Sequence, residues 1–154
     1  MTNVQMSKYL TRNKEKIKEL VELLSVDYSY VSVLGTDVVG KSFGVQRTGI
    51  SIEDSDWSER GFVLRVFNGE NYSEFSFNEI PEDLEILKRK ANNIAVEDIN
   101  NFKDNSVKMC KLPLIEENMV NRTFFGEVEI LPSEVSSKDK VEKLLEIQAN
   151  AFKF

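Results

Sequence analysis

The sequence contains no histidine and a single cysteine, Cys110, among its 154 residues. Without histidine the chain cannot build the usual Ser-His-Asp or Cys-His catalytic arrangements, or an HExxH zinc site. It also lacks the side chain best suited to proton transfer near neutral pH. One cysteine cannot form an internal disulfide, which fits a reducing compartment, so we expect a cytoplasmic protein. Cys110 has no neighbouring base and is interpreted as a bystander, not a nucleophile.

Long apolar runs are also missing. No segment approaches the roughly 20 apolar residues that cross a bilayer, and the first residues have no apolar stretch of the kind found in signal peptides. We therefore expect no membrane partner. With 41% apolar and 30% charged residues, the composition is that of a globular protein long enough for a single domain. The net charge of −6 argues against direct nucleic-acid binding.

Apolar residues at helical spacing predict three helices, in residues 11–25 and 80–95 and from about residue 137 to the end. The residues expected at their starts are Thr11 or Asn13, then Pro81, then Ser136 or Ser137. The basic run at residues 88–90 is interpreted as the solvated face of the second helix. The polar segment from about residue 96 to 118 is interpreted as an extended connector.

β-Branched and aromatic residues predict a series of short strands, the first three forming an antiparallel meander. The segments are residues 28–34, 38–47, 50–52, 61–67, 71–77 and, near the end, 122–130. The Asn68-Gly69 step predicts a hairpin with a type I′ turn between the fourth and fifth strands. These elements predict an α+β fold, a two-layer α/β sandwich in which helices pack on one face of a mostly antiparallel sheet.

Neither face of the strand in residues 61–67 is clearly polar. A sheet with one face in water alternates more regularly between apolar and polar side chains. One face carries Phe62, Leu64 and Val66, and the other carries Val63, Arg65 and Phe67. Arg65 can be explained in two ways. Its stem can pack while its head bonds a carboxylate or carbonyl, or it can bind a substrate carboxylate. The first interpretation is favoured, because nothing near it in sequence completes an anion site.

The acidic stretch at residues 53–59 has two interpretations. It lacks the D-x-[DN]-x-[DN]-G spacing of a calcium loop, so a solvated loop is favoured over a metal site. A complete enzyme that used Glu53 and Asp54 as catalytic carboxylates is a third-ranked hypothesis, because such a pair needs a defined cleft.

Several stretches carry a family resemblance, and together they cover nearly the whole chain except the connector. They are KEKIKELVELLSVDYSYVSVLG, VQRTGISIEDSDWSERGFVLRVFNGENYSEFSF, EIPEDLEILKRKANNIA and SSKDKVEKLLEIQANAF. In order and pattern, with Gly61, Arg65 and Gly69 at the expected places, the chain resembles the N-terminal domain of the TldD/PmbA family. That family is long labelled as modulators of DNA gyrase and is related to zinc metallopeptidases. It often has Trp-Gly soon after the turn glycine, where this chain has residues 71–74.

The resemblance implies a non-catalytic scaffold and subunit-interaction domain of a peptide-degrading metallopeptidase. It implies that residues 1–154 form one domain at the front of a longer chain, whose zinc-binding HExxxH motif lies beyond it. No catalytic residue, metal ligand or cofactor is therefore expected within this sequence, and the chain alone is not expected to be an enzyme. The expected partners are the rest of the chain, a homologous or identical subunit, and a peptide substrate of the whole protein.

A set of structural or interface residues follows from these two lines of reasoning: Gly61, Val63, Arg65, Phe67, Asn68 and Gly69. We expect the face that holds Val63, Arg65 and Phe67 to be covered by later parts of the chain or by a partner subunit. The alternative is a free-standing α+β module that binds a protein partner through the same sheet face, with no peptidase attached.

Overall fold

The computed structural model describes residues 6–55, 58–104, 111–116, 122, 124 and 126–152. In chain order its elements are α1 (Lys8–Leu24), β1 (Val31–Val38), β2 (Lys41–Gln46), β3 (Gly49–Asp54), β4 (Glu59–Phe67), β5 (Tyr72–Phe77), α2 (Glu85–Asp104) and α3 (Ser137–Ala151). The α+β class with antiparallel sheets is confirmed. In this part of the chain, no helix combines the length and apolarity that a bilayer-spanning segment needs.

Contacts along the chain divide it into two compact units. The larger unit contains α1, β1 as far as Asp37, β4 from Arg60 onward, β5 and α2; the smaller unit contains β2, β3 and α3. The prediction of a single domain stays a prediction.

The larger unit is built on a three-stranded sheet in the order β1-β4-β5. β4 and β5 are antiparallel, with Phe62 opposite Phe77 and Phe67 opposite Tyr72. β1 runs antiparallel to β4, because Tyr30 accepts a hydrogen bond from the Phe67 amide at one end while Asp37 pairs with Arg60 at the other. Of the expected meander of the first three strands, the antiparallel pairing of β2 with β3 is confirmed and the pairing of β1 with β2 is wrong. β1 pairs with a strand that lies far along the chain.

The core of the larger unit lies between the sheet and two helices. Every fully buried apolar side chain within the described ranges belongs to this unit: Leu20 and Leu24 of α1, Phe62, Leu64 and Val66 of β4, and Leu87, Ala91 and Ala95 of α2. These residues recur at every second position in β4 and at helical spacing in the helices, so each element presents one apolar face to the others. Tyr9, Phe62 and Phe77 extend this core as a stack of rings, with centroids 5.4 and 5.5 Å apart.

The start of α1 is fastened to the sheet by polar contacts. Ser7 caps the helix, its hydroxyl accepting a hydrogen bond from the Leu10 amide at 3.0 Å. Thr11, an expected cap, lies inside the helix and donates its hydroxyl to the Ser7 carbonyl. Asp37 of β1 bonds to the Ser7 side chain and also accepts a hydrogen bond from Arg60 at 2.8 Å. These two bonds, the one with Ser7 first, hold the pKa of Asp37 below its ordinary value.

The second helix begins and ends later than its sequence pattern predicts. Pro81 precedes α2, and the Asp83 side chain accepts a hydrogen bond from the amide of Glu85, its first residue. Residues 96–104 belong to α2, so this part of the expected connector is wrong, and no glycine or proline is present there to stop the helix. Within the basic run, Lys88 is a half-buried partner of Asp27 at 2.7 Å, and that bond raises the pKa of Lys88.

Among its described residues, the smaller unit has no buried core of its own. β2 and β3 form a two-stranded antiparallel hairpin, and α3 packs on β2. None of the residues of α3, all of which are described, is buried. Ser136, one of the two residues expected to cap α3, is its N-cap, and its side chain accepts a hydrogen bond from the Asp139 amide. Residues 122, 124 and 126–130 lie outside any strand, so the predicted strand there is wrong for this described part of it.

Replacement of the central core residue should test this packing. Leu64 is 1% exposed, so Leu64→Ala removes buried methyl groups and leaves a cavity against α1 and α2. We expect the free energy of unfolding to fall by about 3 kcal/mol, as measured by urea denaturation followed by circular dichroism. Val26→Ala is the matched control, because Val26, which follows α1, is 80% exposed, and its replacement should change stability by less than about 0.5 kcal/mol. Equal losses from both substitutions would contradict this core.

Candidate interaction surface

The sheet of the larger unit has a second face, on the side opposite the helices. Val31 and Val33 of β1 pack on the core, so the alternate residues of that strand point the other way. We call this side the outer face and define it by Tyr30, Ser32, Leu34, Thr36, Val63, Arg65, Phe67, Tyr72, Glu74 and Ser76. Half of these side chains are apolar or aromatic, and the other half are polar or charged. Leu34 is highly exposed there, whereas Tyr30, Val63, Phe67 and Tyr72 are half-buried.

Arg65 lies at the centre of the outer face and is paired with Glu74 of β5. The two residues are opposite each other in the register, and Arg65 Nε donates a hydrogen bond to Glu74 Oε1. This bond raises the pKa of Arg65. Both side chains are nearly half exposed. The geometry therefore matches the interpretation of Arg65 as an arginine satisfied by a carboxylate, while its charge still reaches the surface.

Aromatic rings surround this ion pair. Tyr72 packs against Phe67 with ring centroids 5.2 Å apart, and Tyr30 meets Tyr72 edge-on at 5.4 Å. The Arg65 guanidinium lies 5.9 Å from the centre of the Tyr72 ring, within the range of a cation–π contact. Arg65 is therefore held both by a carboxylate and by a ring, which fixes its position on the face.

A short segment of the chain, residues 111–116, lies against one end of the outer face. The Tyr72 hydroxyl donates a hydrogen bond to the Pro113 carbonyl and accepts one from the Ile115 amide, at 3.0 and 2.7 Å. Leu112 donates its amide to the Glu70 carbonyl at 3.1 Å. All side chains of the segment are exposed. The segment thus covers the Tyr72 end of the face and is held by polar bonds. Sequence reasoning treated it as a connector and missed this role.

The hairpin turn beside the outer face differs from its prediction by one residue. The Asn68 amide bonds the Asn71 carbonyl, so the two loop residues are Gly69 and Glu70. Gly69 has a φ of 99° at the first loop position, as the primed hairpin turns require. The expected type I′ turn stays a prediction. Asn68 precedes the loop, and its side-chain oxygen accepts from the amides of Glu70 and Asn71 at 3.0 and 2.8 Å.

Asn68 also reaches into the core. Its side-chain amide donates to the hydroxyl of Ser73, at 2.9 Å. Ser73 is a buried polar residue on the helix side of β5, so this bond avoids the cost of an unpaired buried hydroxyl. Asn68 is thus a structural residue of the turn.

A side chain at Gly61 would meet close neighbours, whereas the backbone angles of this residue are ordinary. A Cβ placed on it would lie 2.5 Å from Asn78 Oδ1 and 3.2 Å from the Phe77 carbonyl oxygen. Gly61 is buried at the start of β4 and, by alternation along the strand, is on the same side as Val63, Arg65 and Phe67. Of the six residues selected from sequence, the structure thus places Val63, Arg65 and Phe67 together on one surface, while Asn68 and Gly69 form the neighbouring turn. The signal for the surface was the alternation along β4, but alternation alone could not reveal that Tyr30, Leu34, Tyr72 and Glu74 join it.

The smaller unit contains an apolar groove of about 480 Å³ between Phe43 of β2 and the helical segment, lined by Val135, Asp139, Lys140, Lys143 and Leu144. Its lysines already have partners. Lys140 donates to the Pro132 carbonyl and lies over the Phe43 ring at 5.2 Å, and Lys143 pairs with Glu146 at 2.7 Å. The groove thus lacks free polar groups that would orient a ligand, and we interpret it as a packing gap under α3.

The acidic stretch divides between elements. Glu53 and Asp54 belong to β3 and Glu59 opens β4, so the expected solvated loop is shorter than residues 53–59. Cys110 lies outside the described residues. Across the described ranges, no three or more Cys, Asp or Glu side chains converge in a way that could hold a metal ion. Comparisons of the chain with protein-family models, curated proteins and solved structures found no match.

Loss of the Tyr72 hydroxyl should release the segment at residues 111–116. Tyr72→Phe keeps the ring contacts with Tyr30 and Phe67 but removes the hydrogen bonds to Pro113 and Ile115. We expect the amide of Ile115 to exchange with solvent about tenfold faster, because each such bond contributes about 1 kcal/mol. Hydrogen exchange followed by NMR measures this rate. Tyr28→Phe, which removes a hydroxyl bond to Asn92 elsewhere in the larger unit, should leave it unchanged. An unaltered Ile115 rate in Tyr72→Phe would contradict the role given to this hydroxyl.

Proposed function

We propose that this chain is a non-catalytic interaction module whose outer face docks against the same face of a second subunit. The observation that carries the proposal is the chemistry of that face. On this face the apolar side chains of Leu34, Val63 and Phe67 lie around one ion pair. The remaining polar side chains there, Ser32, Thr36 and Ser76, are small and uncharged. Exposed apolar surface of this kind favours association with another protein.

The charges on the face favour a second copy as the partner. Arg65 and Glu74 place one positive and one negative charge side by side at its centre. In a two-fold symmetric contact, when one residue of the first subunit contacts a second residue of its partner, the same two residues also meet with the subunits exchanged. Arg65 of one subunit can then face Glu74 of the other, and the reverse, without any like charges in contact. Such an arrangement is self-complementary, which a face of one charge sign would not be.

The size of the face indicates how strong this association is. Three strands about 4.8 Å apart and a longest strand of nine residues define roughly 400 Å². A standard interface buries about 800 Å² per partner. The face alone therefore supports weak association in the micromolar range, and a stable assembly needs surface from elsewhere.

The finer form of the proposal assigns the chain to a TldD/PmbA-type protein, as a scaffold and subunit-interaction domain of a peptide-degrading metallopeptidase. The resemblance of the opening helix, the Gly61–Arg65–Gly69 strand and turn, and the helix after it supports this form. In such a protein the zinc ligands lie outside this sequence, so no step of peptide hydrolysis is assigned to the residues present. The alternative is a free-standing interaction module, which would use the same face.

A charge-swap experiment tests the docking face. Arg65→Glu gives a subunit with two negative charges at the centre of the face, and Glu74→Arg gives one with two positive charges. We expect each variant alone to associate at least about tenfold more weakly than the natural chain, because like charges then meet. Mixed in equal amounts, they should form a heterodimer, as measured by sedimentation velocity with one variant fluorescently labelled.

Two further variants complete this test. Leu34→Asp, within the face, should also prevent association. Val26→Asp, in an 80% exposed residue that follows α1, should leave association unchanged. A natural chain that stays monomeric at high micromolar concentration would overturn the proposal of a second copy. A mixture that associates no better than either variant alone would overturn the paired geometry.

The TldD/PmbA assignment has a separate test that does not depend on association. We expect the encoding reading frame to continue past Phe154 and to contain an HExxxH motif followed by a cysteine codon, because the family's zinc site lies downstream of the matched region. Sequencing the gene and its transcript measures this. A stop codon directly after Phe154, with no such motif downstream, would favour the free-standing module instead.

A further inference from the structure

β3 of the smaller unit is an edge strand with outward-facing backbone groups. In its register with β2, Ser51 lies opposite Gly44 and Ile52 opposite Phe43. The Ser55 amide bonds the Gly40 carbonyl at 3.1 Å and continues the same register. Because hydrogen-bonded and non-bonded pairs alternate, Ser51 and Glu53 bond to β2. The amides and carbonyls of Ile50, Ile52 and Asp54 then point away from the hairpin, and no strand among the described residues pairs with them.

The side chains next to this edge are apolar on one face. Ile50 and Ile52 are 53% and 47% exposed. Their cross-strand neighbours, Val45 and Phe43, are half-buried, and α3 packs on β2. The apolar surface of the hairpin thus extends past the area that α3 covers, as far as the free edge. Natural proteins usually protect such an edge with a charge, a bulge or a covering element.

The charges at this edge are acidic. Glu53 and Asp54 end the strand, and within the described ranges neither has an ion-pair partner. The cross-strand neighbour of Glu53 is the uncharged Ser42, while Asp54 lies opposite Lys41. Glu53 is on the face opposite to Ile50 and Ile52, because side chains alternate along a strand. A strand added here would therefore meet Ile50 and Ile52 on one face, with Asp54 at the end of that face opposite Lys41, and Glu53 on the other face.

We propose that the outer edge of β3 binds an extended basic peptide segment as an added strand. The backbone of the peptide bonds to Ile50 and Ile52. Apolar residues at every second position of the peptide cover the side chains of those isoleucines, and its intervening lysine or arginine residues lie beside Glu53. Main-chain bonds supply the affinity in this mode of recognition, and the alternate side chains supply the specificity.

Binding of a designed peptide to the full chain tests the proposal. The probe is a fluorescein-labelled heptapeptide in which lysine and valine alternate, titrated by fluorescence anisotropy. We expect saturable binding. By NMR, we expect bound peptide to slow hydrogen exchange at the amides of Ile50 and Ile52, because those amides point outward. The amides of Ser51 and Glu53, already bonded to β2, should change little. Protection at every second amide distinguishes an added strand from non-specific electrostatic binding.

Two control peptides distinguish the effect of alternating residues in the peptide from the effect of its amino-acid composition and charge. A heptapeptide of the same composition with its valines contiguous should bind at least about fivefold more weakly, since it cannot place apolar residues at alternate positions. An alternating glutamate–valine peptide should bind more weakly still, because it meets Glu53 with a like charge. Equal binding of the alternating and the contiguous lysine peptides would overturn the proposal.

Variants in the strand identify the site. Ile52→Pro removes an outward amide without removing a bond to β2, and we expect binding to weaken about tenfold. Retained protection of the Ser51 amide confirms that the hairpin still forms. Glu53→Lys is the second variant, because it does not touch the backbone. It should weaken binding of the lysine peptide and strengthen binding of the glutamate peptide.

The result of this peptide-binding experiment can be told apart from the result of the charge-swap experiment on the outer face. Leu34→Thr, on the outer face of the larger unit, should leave peptide binding unchanged. Exchange protection at Leu34 or Arg65 in place of Ile50 and Ile52 would overturn the proposal. A second result would also overturn it: the peptide does not bind, and the chain forms a dimer that Ile52→Pro abolishes. The edge of β3 would then pair with a second copy of the chain.

Discussion

Packing of the inner face of β4 against α1 and α2 is the constraint on which the larger unit depends. Leu64 and Val66 lie at the centre of the sheet and contact the core formed with Leu20, Leu24 and Leu87. Burial of each such side chain contributes about 1.5–3 kcal/mol. Because these residues come from segments far apart in the chain, their burial brings β1 and β5 to either side of β4 and positions both helices on one face.

The same constraint creates the outer face. Side chains alternate along a strand, so every residue that β4 sends into the core leaves its neighbour on the opposite side. Val63, Arg65 and Phe67 are placed there by the burial of Phe62, Leu64 and Val66. The ion pair between Arg65 and Glu74 and the rings around it then give that side a defined arrangement. Residues 111–116 cover the Tyr72 end of it, while Leu34 remains exposed.

The two units differ in how much buried apolar core stabilises each of them. The larger unit has a core of leucine, valine and alanine side chains from two helices and a strand. The smaller unit is a two-stranded hairpin with one helix and no buried residue in that helix. An isolated hairpin is only marginally stable in water. A free edge at β3 with exposed isoleucines is consistent with a unit that gains stability from an additional strand.

Within the described residues, sequence patterns by themselves determined the existence and type of the three helices and the five strands, the α+β class, and the division of β4 into two faces, because these depend on local periodicity. They also predicted a sixth strand near residues 122–130, which the described part of that segment does not form. They missed the Ser7 cap, the true start of α2, the one-residue shift of the turn at Gly69 and the pairing of β1 with β4. Each of these was decided by tertiary structure. Ser7 at the start of α1 is linked to Asp37 of β1, Asn68 turns inward to satisfy Ser73, and β1 joins β4 because that strand offers a neighbour with a buried apolar face. Contacts between residues far apart in sequence leave no local periodicity, so only the folded chain could reveal them.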